Sequence, residues 1–191
     1  MCQQMDEQGI ISKILLGNKE LFTELVERYK YFVFTIALKF TDDRQNAEDI
    51  AQDVFIKAYK SLADFQHKAK FSTWLYVITV NTCKTALHKK KLLTYSLSDE
   101  SVLEKAGSVN AVENNISNKS MSEMVNEALS LLSSEDSIVI TLFYKADQTL
   151  EEIGHIMAIT PNNAKVKLHR ARLRLKKILE LHFKQDIDLL N

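Results

Sequence analysis

The chain has 191 residues, 46% of them hydrophobic and 26% charged, which suits one or two small soluble domains and excludes a disordered tail or a membrane-embedded protein. Four glycines and one proline are too few for the tight turns of a sandwich or barrel, or for nucleotide-binding loops, so the composition points to an all-α fold. The formal charge sums to zero but is segregated: 66–98 and 161–178 are basic and free of acids, whereas 41–65 and 121–160 are acid-rich, so a polyanion could bind two local surfaces.

A short apolar helix over Ile10 to Leu16 is broken by Gly17 and Asn18, and Asn18 is placed to cap the next helix. There Leu21, Leu25, Tyr29, Phe32, Ile36 and Phe40 recur at intervals of three and four. Thr41, Asp42 and Asp43 restart the pattern, and Ala47, Ile50, Val54, Ala58 and Leu62 continue it in a second long helix. Residues 64–70 lose the period and read as a loop. Ser72 then offers a cap for a third helix through Trp74, Leu75 and Ile78 toward Lys91, whose β-branched run Val77 to Val80 lacks the turn residues of a hairpin.

After Tyr95 the composition turns to serine and asparagine without aromatics, marking a linker. Beyond it, Met121 to Leu132 form one helix, and Ser133 or Ser134 caps another bearing Ile138, Val139, Leu142 and Phe143. Thr149 and Glu152 match a capping box, Ile153, Ile156 and Met157 supply an inner face, and Ala158 to Thr160 form a three-residue turn. Thr160 caps a last helix whose first residue is Pro161. The fold class is therefore all-α: two small helical domains, 1–92 and 121–191, joined by a flexible linker over 93–120, the C-terminal domain a helix-turn-helix.

The chemistry follows from what each helix leaves outside its apolar stripe. On the last helix Ala164, Leu168, Ala171, Leu175 and Ile178 point inward, leaving Asn162, Asn163, Lys165, Val166 and His169 at the open end and Arg170, Arg172 and Arg174 along the sides. Asparagine and lysine can reach base edges in a major groove, and more distal cations grip phosphates. The alternative is a helical hairpin with a solvated basic face. In the first domain Phe65, Phe71, Trp74 and Tyr76 are interleaved with His67, Lys68, Lys70, Lys84 and Lys89 to Lys91, the mixture unstacked bases require. Trp74 and Tyr76 suit a small helical core, which leaves Phe65 as the loop residue for a base. Glu48, Asp49, Gln52 and Asp53 form a carboxylate patch suited to a basic protein surface. It lacks the histidine that a paired-carboxylate metal site would need.

Three blocks together resemble a known family: Asp43-Arg44-Gln45-Asn46-Ala47-Glu48-Asp49-Ile50-Ala51-Gln52-Asp53-Val54-Phe55, Phe71-Ser72-Thr73-Trp74-Leu75-Tyr76 and Lys167-Leu168-His169-Arg170-Ala171-Arg172. They look like an extracytoplasmic-function (ECF) sigma factor of the sigma-70 family. The resemblance implies a factor that binds core RNA polymerase and directs it to promoter DNA, reading the minus-thirty-five element as duplex and the minus-ten element on the melted non-template strand. By this likeness Asp49, Gln52 and Asp53 dock on polymerase. Phe65, Gln66, His67, Lys68 and Lys70, with Asn81, Thr82 and Thr85, surround a captured base, while Lys84, His88 and Lys89 hold the adjacent backbone. Asn162, Asn163, Lys165, Val166, His169, Arg170 and Arg172 meet the minus-thirty-five element. The acidic linker segment from Asp99 to Glu113 would pass near the RNA exit path. An anti-sigma factor is implied as a further partner. Pro161 to Val166 departs from the Gly-Thr-Val-Lys-Ser common in the family, which implies a different promoter sequence.

No His-Glu-x-x-His, phosphate loop or nucleophile elbow is present, so the sequence offers no catalytic residue, metal ligand set or cofactor site. Cys2 and Cys83, without partners at ligand spacing, fit a reducing cytoplasm and no disulfide, and no apolar run is long enough to enter a membrane. A one-component helix-turn-helix repressor is the competing reading. It explains the C-terminal half equally well, but not the aromatic and lysine block of the first domain.

Overall fold

The computed structural model describes residues 6–41, 43–97 and 120–183, the side chains of 90–97 excepted. Among the described residues eight α-helices follow in order: α1 Glu7–Leu15, α2 Phe22–Thr41, α3 Arg44–Lys60, α4 Phe71–Leu97, α5 Met121–Ser130, α6 Ser134–Tyr144, α7 Leu150–Met157 and α8 Pro161–His182. Most of the 93–120 linker, including Asp99 to Glu113, lies outside the described residues.

Local chemistry explains most of the boundaries. Gly17, at φ +109°, ends α1 in a conformation that costs a residue without Cβ little. Asp43 caps α3 by accepting the amide hydrogens of Gln45 and Asn46, both at 3.3 Å. Two expected caps differ. The Asn18 side chain caps nothing, because a 3-10 turn, Lys19–Leu21, intervenes before α2. Ser72 lies inside α4, which opens one residue earlier on the Lys70 carbonyl, 3.2 Å from the Trp74 amide. At its other end α4 continues past position 92 to Leu97.

In the first domain α2 packs on α3 and α4, burying Leu25, Val33 and Ile36 with Val54, Ala58, Leu75 and Val80. Each helix presents one apolar stripe to the others. Helix α1 closes this core with Ile10, Ile11 and Ile14. It is pinned at its start, where the Glu7 carboxylate accepts hydrogen bonds from Arg28 Nη1 at 3.1 Å and from the Tyr29 hydroxyl. Burial, with help from Glu7, keeps the Tyr29 phenol protonated well above its ordinary range. Cys83 is wholly buried, and desolvation pushes its thiol up to about 12, which makes it a core group rather than a nucleophile.

Helix α6 is buried along its whole middle, from Asp136 to Leu142. A helix buried on every side, its polar Ser137 and Thr141 included, needs neighbours on more than one side. It has them: α7 and α8 pack on it from its own domain, and α2 of the first domain also reaches it. Helix α4 in turn meets α7. The two domains therefore share one continuous apolar core, while Met124, Ala128 and Phe183 form a small second cluster that closes α5 on the end of α8.

Candidate nucleic-acid interface

The helix-turn-helix is built from two caps and one tight turn. The Thr149 hydroxyl accepts the Glu152 amide hydrogen at 3.2 Å, and Glu152 Oε2 accepts the Thr149 amide hydrogen at 2.8 Å, so both orphan donors are satisfied. Ala158, at φ +58°, then reverses the chain in the left-handed region, and the Thr160 hydroxyl accepts the Asn163 amide hydrogen at 3.2 Å to start α8 at Pro161. Gly154 lets the helices approach: a Cβ there would lie 2.8 Å from the Ile159 carbonyl oxygen.

This frame buries Ala164, Leu168 and Ala171 and leaves Asn162, Asn163, Lys165, Val166, His169, Arg170 and Arg172 exposed. The exposed residues do not share one surface. Asn163, Val166, Lys167, Arg170 and Arg174 line a cleft shared with Asp136 at the start of α6. Two of its cations are anchored inside the domain, Arg174 by Asp136 and Lys167 by Glu135. Arg172 stands on another flank, its guanidinium 5.2 Å from the ring centres of both Phe143 and Tyr144. That is a cation–π seat, and it borders an apolar groove between α5, α6 and α8.

In the first domain Asn81, Lys84, Thr85 and His88 recur at three, four and seven and form an exposed stripe on α4. Gln66, His67, Lys68 and Lys70 are exposed in the preceding loop, where His67 adopts φ +55°. Two residues differ from the sequence expectation, and a third has an additional neighbour. Phe65 is only 8% exposed, packed edge-on against Phe71 at 5.8 Å and tilted against Trp74 at 5.2 Å and His67 at 4.6 Å, so its ring belongs to an aromatic core. Thr82 is buried, and its hydroxyl accepts from Lys57 Nζ at 3.2 Å. Lys89, exposed four residues beyond Thr85, also lines the groove between α3 and α4 with Asp49 and Asp53. Phe65 lies in the loop that the lost period predicts, but a short 3-10 turn, Leu62–Asp64, folds it back under α4.

The acidic patch on α3 is exposed at Glu48, Asp49, Gln52 and Asp53. Arg44 Nε pairs with Glu48 at 3.0 Å. Asp49 and Asp53 face the α3–α4 groove, while Gln52 lies in a separate groove with Tyr31, Phe34 and Phe55 from α2 and α3. The patch thus straddles the outer ridge of α3.

Sequence reasoning missed a polar contact between the domains. The Thr73 hydroxyl, 2.9 Å from Gln148 Oε1 and 3.3 Å from Glu152 Oε1, is shared between them as donor. Lys70 Nζ lies 3.2 Å from the same Glu152 oxygen. Burial pushes the Glu152 carboxyl up, but the hydrogen bonds from Thr149 and Lys70 outweigh it and hold the group below the ordinary carboxylate value. The available signal was the charge pattern, an acid-rich 121–160 opposite a basic 66–98.

A helix-turn-helix whose second helix carries no acid from Pro161 to Leu179, together with a second domain bearing a cationic and amide-bearing helix face, defines a two-domain DNA-binding protein. Residues 25–92 match the family model for Sigma-70 region 2 and residues 122–175 that for Sigma-70, region 4, in this order along the chain, and the chain belongs to the sigma-70 family, in its ECF branch. It is similar to the ECF RNA polymerase sigma factor SigW of Bacillus subtilis (strain 168), 29% identical over 88% of this chain and 94% of the relative. Its identity to the ECF RNA polymerase sigma-E factor of Escherichia coli (strain K12) is 27%, over 90% of this chain and 93% of that one. Among solved structures it is similar in fold to the sigma factor RpoE in complex with the anti-sigma factor NepR from Bartonella quintana. The TM-score is 0.62, with 20% identity over 84% of this chain and 98% of that one.

Proposed function

We infer that this chain is an alternative transcription initiation factor that binds core RNA polymerase and directs it to specific promoters. The observation that supports it most is the pair of exposed, acid-free helix faces, Asn81 to His88 on α4 and Asn162 to Arg170 on α8, one in each family-matched segment. In this reading the α4 stripe and the Gln66 to Lys70 loop hold the melted minus-ten strand, with aromatic support from Trp74 and the buried Phe65. Asn162, Asn163, Lys165, Val166 and His169 read minus-thirty-five bases, and Arg170 grips phosphate. The outer ridge of α3, at Asp49, Gln52 and Asp53, docks on polymerase. An anti-sigma factor is the proposed regulator, acting in the cytoplasm where polymerase works. No described helix is long and apolar enough to cross a membrane.

Addition of the protein to core polymerase should yield promoter-dependent transcripts. Tight duplex binding without polymerase, and no transcripts with it, would favour a repressor instead. Charge reversal at both Asp49 and Asp53 should lower affinity for core polymerase with unchanged circular dichroism, because neither side chain contributes to the core.

A further inference from the structure

The cations along one flank of α8 are not equally free to meet phosphate. Asn163, Val166, Lys167, Arg170 and Arg174 recur at three and four and line one cleft, so Lys167 shares its flank with the base-reading Asn163 and the phosphate-gripping Arg170 of the reading above. Two of these cations already hold an anion. Lys167 Nζ is paired with Glu135 and Arg174 Nη1 with Asp136, both acids in the first turn of α6. We propose that Glu135 is an electrostatic brake on duplex binding, competing with DNA phosphate for Lys167 and so weakening the grip of α8 on every sequence alike. The proposal deepens the duplex-reading role given to α8 and rests on it.

The two acids are neighbours in sequence, yet their surroundings give them different tasks. Asp136 is 3% exposed, so loss of its cation would leave a buried charge uncompensated, and Arg174 is thereby committed to the fold. The Glu135 side chain is 64% exposed and that of Lys167 28%. A pair of this exposure contributes little to stability, because water serves both groups nearly as well. It is therefore exchangeable, and a phosphate arriving at this flank offers Lys167 the same charge as the carboxylate does. Glu135 has the advantage of being in place beforehand, at a helix start whose free amides favour an anion.

While the pair is closed its charges cancel, and Lys167 adds nothing to the field that draws duplex toward α8. Each phosphate neutralised by a free cation releases condensed counterions and steepens the salt dependence of binding by about one unit. Withholding Lys167 removes that contribution without touching base reading, since Asn162, Asn163 and Lys165 take no part in the pair. A weakened grip on duplex by the chain alone suits a factor that engages promoters together with polymerase.

The test uses the full chain and a short fluorescein-labelled duplex of mixed sequence, titrated at several salt concentrations, since a phosphate contact needs no particular bases. Glu135→Gln removes the charge and keeps the side-chain length. Glu151→Gln, at an exposed position in the first turn of α7, makes the same charge change on another helix of the domain and reports the general field. Relative to Glu151→Gln, Glu135→Gln should bind the duplex about two- to fivefold more tightly, the range of one exposed pair, with a salt slope steeper by about one unit. The gain should vanish beside Lys167→Met, where there is no cation to release. Glu135→Asp keeps the charge at the start of α6 but shortens the reach to Lys167, and should shift affinity in the same direction at unchanged net charge. Circular dichroism and Tm should not move in either variant, which separates the effect from a repacking of α8. A gain no larger than that of Glu151→Gln, or one that persists beside Lys167→Met, would make the effect one of net charge and overturn the brake. Absence of duplex binding by every form, even at low salt, would overturn it as well. Promoter-dependent transcription by the unaltered protein with core polymerase is read in parallel. Transcripts without the Glu135 effect remove the brake alone, whereas the effect without transcripts removes the polymerase reading and leaves the duplex contact standing.

Discussion

Phe65 and Asn81 separate folding from function at the level of single side chains. A ring packed against Phe71 and Trp74 cannot stack on a base without leaving its site, so Phe65→Ala should lower stability by about 3–5 kcal/mol, read as a fall in Tm. Asn81→Ala, on an exposed face, should melt like the unaltered protein and yet impair open-complex formation in permanganate footprinting. Equal Tm values for the two variants would contradict the aromatic core. A similar division holds within α8. Lys165→Ala should lose about 1–3 kcal/mol of discrimination at one base pair, and Arg170→Ala should weaken all sequences alike and reduce the salt slope by about one unit. Arg172, seated on Phe143 and Tyr144, behaves differently. Arg172→Ala should cost about 0.5–2 kcal/mol of stability, and a salt slope altered without a change in Tm would return it to the phosphate-binding set.

Gly154 shows what an element needs beyond its apolar period. A Cβ placed 2.8 Å from the Ile159 carbonyl oxygen meets backbone, which cannot rotate away, so Gly154→Ala should cost about 1–3 kcal/mol by forcing α7 from α8. Duplex binding should fall with it, and an unchanged Tm would show that the helices have room. That close approach was not readable from one glycine in a helical pattern. The Thr149–Glu152 box, the Thr160 cap and Pro161 were readable, because each is a local bond between residues at fixed spacing. Asn18 and Ser72 misled for the same reason that capping is local: either residue type can cap, but the turn before it decides whether it does. The Ser120–Glu123 box at the start of α5 has the same local spacing. The largely apolar run Ile138 to Leu142 marks α6 as buried, but not that part of its cover comes from the other domain. The exposed residues of the α8 face followed from periodicity, and those of the α4 stripe from the family resemblance. The inward turn of Phe65 and the burial of Thr82 against Lys57 did not, because both depend on how neighbouring elements pack.

At the scale of the whole chain the shared core predicts coupled unfolding. Buried residues of α2 and α4 are continuous with those of α6 and α7, so losing either domain exposes apolar surface on the other. Calorimetry of the full chain near neutral pH should show one cooperative transition, and two separated transitions would mean that the interface contributes little. The polar part of the coupling should depend on pH with a definite sign. Glu152 titrates below its ordinary value of 4.5 in the folded chain, held there by Thr149 and Lys70. A depressed carboxyl contributes stability above its unfolded value and loses that contribution as pH falls through its folded value. Acidification below about 4.5 should therefore weaken the Lys70–Glu152 contact and broaden or split the transition. Acid acts on the whole chain, so the decisive quantity is the difference between the unaltered chain and Glu152→Gln. The variant already lacks the charge, and its transition should change less over this range. Identical pH profiles for the two proteins would place the coupling in the apolar contact of α2 with α6 alone.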